Sequence, residues 1–121
     1  VDRIESYRDL IVWQQAVDLA VAVYALTRTW PKEEIYGLTS QTRRAATSVA
    51  ANIAEGYGRE NRGSYIQFLK IAQGSLKELE THLIIAQRIK IADGDGIHSL
   101  LLRSDEVGKM LRSLIKKLAP I

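Results

Sequence analysis

The chain has 121 residues, which is about one domain at the usual ~100 to 200 residues per domain, and its 46% apolar content is enough for one sizeable core. With 26% charged residues it is not a disordered tail, a collagen or a membrane protein, and the absence of cysteine removes disulfides, thiolate zinc sites and cysteine nucleophiles. Seventeen basic against fourteen acidic residues give a net charge of +3, which permits contact with polyanions but falls well short of a histone-like excess.

A cytoplasmic location is expected. The opening Val1-Asp2-Arg3-Ile4-Glu5 is charged and lacks the apolar core of a signal peptide. The longest uncharged apolar run, Leu19 to Leu26, is far below the ~20 residues that span a bilayer.

Apolar residues recur at spacings of three and four almost throughout, and no alternating β-branched run lies between turn signals. The expected fold class is therefore all-α, with residues 1–121 forming a single domain. The first helix is expected from about Asp9 to Thr29, after a capping box at Ser6-x-x-Asp9 and before Trp30-Pro31, where proline disfavours helical geometry in the preceding residue. After a connection over Trp30 to Leu38, Thr39 or Ser40 serves as N-cap of a second helix that ends near Tyr57, with Gly56 and Gly58 as its stop. Ser64-Tyr65-Ile66-Gln67 reads as a capping box opening a long third helix to about Ile91. Asp93-Gly94-Asp95-Gly96 breaks the pattern, and a fourth helix covers about Ile97 to Leu118, before Pro120. Short connections between long helices favour an antiparallel up-and-down four-helix bundle.

At 100° per residue, Tyr65, Phe68, Ala72, Leu76, Leu79, Leu83 and Ala86 form one seam of the third helix, with Lys70, Lys77, Thr81 and Arg88 nearly opposite. In the fourth helix, Leu100, Val107, Leu111, Leu114 and Leu118 are backed by Lys109, Arg112 and Lys116. The first helix carries two apolar stripes. Leu10, Trp13, Val17, Ala20, Val21 and Tyr24 make one, and Val12, Ala16, Leu19, Val23 and Leu26 make the other, roughly opposite. A bundle that buries one stripe per helix leaves the second exposed, which soluble monomers rarely tolerate. Self-association through Val12, Ala16, Leu19, Val23 and Leu26 is the simplest remedy; the alternative is a first helix placed centrally within its own bundle.

Chemistry finds little support. Di-metal bundles use Glu-x-x-His pairs on facing helices, whereas Glu78 and Glu80 stand four and two residues before His82, and His98 has no carboxylate three residues before it. Glu78 and His82 read as a solvated pair. Gly56-Tyr57-Gly58-Arg59-Glu60-Asn61 matches only the first two glycines of a dinucleotide fingerprint and follows a helix instead of a strand. No catalytic, metal or cofactor residues are assigned, and no enzymatic activity is expected.

The middle of the chain is more specific. Tyr36-Gly37-Leu38-Thr39-Ser40-Gln41, Arg43-Arg44-Ala45-Ala46 and Asn52-Ile53-Ala54-Glu55-Gly56-Tyr57-Gly58-Arg59 closely resemble the signature of the small bacterial four-helix bundle proteins encoded in intervening sequences of 23S ribosomal RNA. Asp9-Leu10-x-Val12-Trp13 upstream and the stretch Phe68 to Thr81 downstream look like that family too. Ala50 stands where the family commonly has a proline, so no proline kink is carried over. The resemblance implies a bundle that assembles as a ring, typically a homopentamer, without known enzymatic activity. It also implies kinship with accessory proteins of diversity-generating retroelements, whose basic rings bind nucleic acid and a reverse transcriptase.

The motif residues also have a physical reading. Ala45, Ala46, Ala50, Ala51 and Ala54 allow close helix approach, and Gly74, behind its seam, suggests a neighbouring backbone or subunit. Asn52 and Glu55 are expected to bond across an interface or to pair with Arg43 or Arg44, while Tyr36 and Tyr57 cap the core. Two functions compete. One is a homo-oligomer that binds RNA or DNA through Lys70, Lys77, Arg88, Lys109, Arg112 and Lys116, with Arg59 and Arg62 at the turn, each charge repeated around a ring. The other is a protein adaptor with no nucleic-acid role.

Overall fold

Ser6 and Asp9 cap one another near the start of the chain: the Ser6 hydroxyl accepts from the Arg8 amide at 3.1 Å, and the Asp9 carboxylate accepts from the Ser6 amide at 3.2 Å. The box opens only a single 3-10 turn, Tyr7–Asp9, and extended Leu10 separates it from the first α-helix. The computed structural model describes residues 3–120. Among these it contains four α-helices and no strand: α1 Ile11–Thr27, α2 Leu38–Gly58, α3 Arg62–Arg88 and α4 Gly94–Leu118. None of them is long and apolar enough to cross a membrane.

The helix ends follow a different logic from the glycine stops expected above. No described glycine adopts positive φ; the left-handed residues are Glu60 (φ 56°) and Lys90 (φ 66°), which end the α2 and α3 runs. The glycines serve close approach instead. A Cβ on Gly56 would stand 2.6 Å from the Phe68 Cβ, and one on Gly96 would stand 2.8 Å from Leu26 Cδ1. The N-caps shift as well. α2 starts at Gly37, where the upstream Glu34 carboxylate accepts from the Leu38 amide at 3.3 Å, while Thr39 is buried. α3 starts at Asn61, whose side chain accepts from the Ser64 amide at 2.9 Å, so Ser64 lies inside the first turn and is not the cap. Asp93 caps α4 by accepting from the Asp95 amide at 3.0 Å, which adds a turn ahead of Ile97.

α2 and α3 form the most extensive pair, with α1 against α2 and α4 against α3 and α1. Ala45, Ala46 and Ala50 are buried and bring α2 close to its neighbours, whereas Ala51 is exposed. Ser48 and Ser75 bridge α2 and α3 at 2.8 Å, and Asn52 donates to both the carbonyl and the hydroxyl of Ser48. Asn52 and Glu55 therefore pair with neither Arg43 nor Arg44. The expected seams of α3 and α4 face the core, joined by Leu69, Ser75, Ile97 and Ser104.

α1 reverses the expected assignment of its stripes. Val12, Ala16, Leu19 and Val23 are at most 6% exposed and lie within the core of their own chain, with Leu26 packed against it. They are not available to a second subunit. The reason is that α1 contacts both α2 and α4, so the narrower stripe fills the space between them. The stripe expected inside is the half-open one: Trp13 and Val17 are partly buried, while Val21 is 64% and Tyr24 40% exposed.

Two stability measurements check this architecture. Leu19→Ala is expected to cost ~2 to 5 kcal/mol, the range for emptying a closed core site, and to lower the unfolding midpoint at any protein concentration. Asn61→Ala is expected to cost ~0.5 to 2 kcal/mol as the loss of a helix cap, and Ser64→Ala distinctly less, by chemical denaturation.

Candidate nucleic-acid interface

The basic residues behind the seams of α3 and α4 do not form one continuous stripe. Four of them, Lys70 and Lys77 on α3 and Lys109 and Arg112 on α4, line a groove of about 470 Å³ between the two helices. The groove exists because its floor has little side chain. Gly74 has no atom within 4 Å of where a Cβ would stand, and Gly108 meets only Leu76 Cδ2, at 3.4 Å. No other part of the chain approaches Gly74, so of the two expected neighbours a backbone of the same chain is excluded and a second subunit stays open; within the chain its role is to leave room.

The four cations are not equivalent. Buried Ser104 on α4 donates to Glu80 Oε2 on α3, and the other oxygen of the same carboxylate, Glu80 Oε1, lies 3.2 Å from Lys77 Nζ. Glu80 is thus a fixed anion that ties α3 to α4 and holds Lys77 at the rim. Lys109 is paired more loosely with Glu106 at 3.7 Å, both groups well exposed. Lys70 and Arg112 have no ion-pair partner among the described residues, so they carry the uncompensated charge of the groove. Asp105 is the one carboxylate in its walls.

The other expected cations lie elsewhere. Lys116 is exposed one turn beyond Arg112 and outside the groove walls. Arg88 is in the last turn of α3, ~27 Å along the helix from Lys70 at 1.5 Å per residue. Arg62 is exposed at the start of α3. Arg59 is engaged locally, 3.3 Å from Glu55 and with its guanidinium carbon 4.9 Å from the centre of the Phe68 ring. Arg59 and Arg62 frame the α2–α3 turn, and neither joins the groove.

Of the two tyrosines expected to cap the core, only Tyr57, half-buried against Tyr65 at the edge of the core, does so. Tyr36 is 96% exposed. Tyr57 packs edge-on to Tyr65, ring centres 5.9 Å apart, and burial, reinforced by the charge of Tyr57, raises the pKa of the Tyr65 hydroxyl above its usual value. His82 and Glu78 pair at 3.6 Å, but the imidazole is mostly buried instead of solvated. Among the described residues there is no group of three or more His, Asp or Glu side chains placed to hold a metal ion.

Ser104 and Glu80 escaped the sequence reading, because a serine in an apolar seam and a glutamate beside it carry no pattern until two helices meet. Gly108 was equally silent, although its spacing from Lys109 and Arg112 on one helix face could have marked it.

Comparison with curated proteins finds no match. Among solved structures, a protein of unknown function from the S23 ribosomal protein family of Bacteroides thetaiotaomicron is similar, with a TM-score of 0.81 and 28% sequence identity over 88% of this chain and 96% of that one. The family model for the 23S rRNA-intervening sequence protein matches residues 8–113, which takes in three whole helices and most of α4. The chain belongs to the 23S rRNA-intervening sequence protein family.

Proposed function

We propose that the chain is a non-enzymatic, homo-oligomeric bundle that binds nucleic acid along the α3–α4 groove. The observation that carries the reading is the convergence of Lys70, Lys77, Lys109 and Arg112 from two helices on one glycine-floored groove. Such a surface suits a phosphate backbone, since cations on both walls can follow it while exposed glycine backbone lets it approach closely. The helices run antiparallel in this reading, supported by contacts in which Glu80 meets Ser104 and Leu76 meets Gly108. Self-association into a ring, a pentamer by family resemblance, multiplies the modest charge of one chain into a local field.

The groove has no aromatic wall on which bases could stack, so binding is sequence-tolerant and strongly salt-dependent. The combined variant Lys70→Gln, Arg112→Gln and Lys116→Gln is expected to weaken binding of labelled RNA and DNA uniformly across sequences. It should also flatten the log-log salt slope by about one unit for each phosphate that is no longer neutralised. Lys77→Gln with Lys109→Gln should do less, because both lysines already have carboxylate partners. Titration at several salt concentrations decides it, and absence of binding by the wild type at low salt would discard this function.

The assembly face in this reading is the half-open stripe of α1. Val17, Ala20, Val21 and Tyr24, with Ala50 of α2, border an apolar hollow of about 500 Å³. Val21→Glu is expected to leave the thermal midpoint of the subunit nearly unchanged, since the side chain is 64% exposed, while reducing the oligomer to monomers by light scattering. An unchanged mass would place the subunit contact elsewhere.

The adaptor reading retains one observation. A second apolar hollow of about 790 Å³, between the N-terminal segment and α4, is lined by Ile4, Leu10, Ile11, Met110 and Leu114 and is rimmed by Lys109 and Lys117.

A further inference from the structure

At the corner where α1 gives way to α2, the chain encloses a small pocket of about 340 Å³. It shares no residue with the α3–α4 groove. Its walls hold the cations Arg28, Lys32 and Arg43 and no carboxylate. The α3–α4 groove differs, with Asp105 in its walls and carboxylate partners for Lys77 and Lys109.

Two further wall residues carry unfinished hydrogen bonding. Trp30 is 6% and Thr39 2% exposed, and neither the Trp30 indole nitrogen nor the Thr39 hydroxyl has a partner. Both atoms are themselves covered, as are the Tyr65 hydroxyl and the His82 imidazole nitrogens elsewhere, which also lack a hydrogen-bond partner, so Trp30 is a wall residue whose indole can sense what enters the pocket.

Arg43 is fixed in place beside them. Its Nε donates to Thr27 Oγ1 at 2.8 Å, and the Thr27 hydroxyl in turn donates to the Val23 carbonyl oxygen at 2.9 Å. The guanidinium carbon lies 4.7 Å from the centre of the Tyr24 ring. This leaves the two terminal nitrogens without a hydrogen-bond partner among the described residues, on a side chain that has already given up its rotational freedom.

We propose that this pocket binds a phosphate monoester, with Arg43, Arg28 and Lys32 neutralising the dianion and Trp30 standing in the wall beside it. Phosphate fits better than a carboxylate because the cations come from three places in the chain, the C-cap of α1, the connection and α2, and three of them exceed what a single negative charge needs. Several cations with no wall carboxylate also suit a dianion. The volume lies at the small end of the ~300 to 1,000 Å³ usual for ligand pockets, and Pro31 and Ile35 supply apolar wall for the organic part of the ester. The phosphate could come from a free small molecule or from the end of a nucleic-acid strand.

The test follows the two indole N–H resonances in nitrogen-15 spectra, with Trp13→Phe identifying that of Trp30. Inorganic phosphate and phenyl phosphate are titrated at constant ionic strength, with chloride as the control. A saturable shift confined to the Trp30 resonance is expected. Arg28→Gln with Lys32→Gln, both exposed, should weaken it at least about tenfold without moving the thermal midpoint, as expected when two charge-assisted hydrogen bonds are removed. Arg43→Lys, which keeps the charge but loses the fork, should weaken it as well; should that variant fail to fold, the double variant still decides.

A parallel titration uses a short DNA strand with a 5′-phosphate or a 5′-hydroxyl, on the Lys70, Arg112 and Lys116 triple variant so that the groove competes less for it. A shift with the phosphorylated strand alone assigns the ligand to strand ends, and a shift with phenyl phosphate alone assigns it to free esters; either supports the pocket. No Trp30 shift with any phosphate, the same shift with chloride, or no weakening in the double variant overturns it.

Discussion

The close approach of α2 and α3 is the constraint on which the rest of the molecule depends. At the turn it leaves no room for a side chain on Gly56, whose Cβ would collide with that of Phe68. Midway along, it brings Ser48 and Ser75 into hydrogen-bonding contact. Small residues allow backbones to near one another, and the hydroxyl pair then fixes the register at a partly buried point where an unpaired group would be costly. With that pair locked, Glu60 must take up the left-handed conformation and Asn61 must cap α3, because the chain has two residues in which to turn from Arg59 into Arg62. The orientation of α3, and with it the outward direction of Lys70 and Lys77, follows.

The second consequence is electrostatic. Because α3 presents Leu76 and Leu79 to α4, Glu80 arrives beside Ser104 and becomes a shared carboxylate between the helices. It stabilises the α3–α4 contact through a hydrogen bond to a charged group, worth ~1.5 to 3 kcal/mol in favourable cases, and it also offsets the charge of Lys77. The groove therefore spends part of its positive potential on holding itself together. What remains is concentrated at Lys70 and Arg112, a narrower basic surface than a count of outward cations suggests.

Much of this was legible in the sequence because it depends on one-dimensional spacing. The seams of α3 and α4 and the approximate helix limits follow from apolar period, and Leu76, Leu79, Leu83, Val107 and Leu111 are buried where that period puts them. Helix ends were harder. Glycine after an apolar run suggests a left-handed stop, but whether it takes positive φ depends on the tertiary approach, and here Gly56 and Gly96 are packing residues while Glu60 and Lys90 bear the left-handed turns. Ser64 outranks Asn61 on pattern because it has the reciprocal glutamine; the structure uses the first residue able to cap. α1 was the least legible element. Two stripes of similar apolarity give periodicity no means of ranking them, and only contact with both α2 and α4 determines which one is enclosed.

That reversal of α1 connects its open face to the corner pocket. Tyr24 is 40% exposed on the half-open stripe, and the charged group at its ring is Arg43, which Thr27 holds from the buried side. A cation over an aromatic face gains strength as water is excluded, from ~0.5 to 1 kcal/mol when exposed to ~2 or more when desolvated. Any surface that covers Tyr24 therefore tightens its hold on Arg43, and anything that draws Arg43 away uncovers Tyr24. The apolar hollow beside Val21 and the cationic pocket beside Trp30 consequently meet at one arginine–tyrosine contact, and Arg28 borders both.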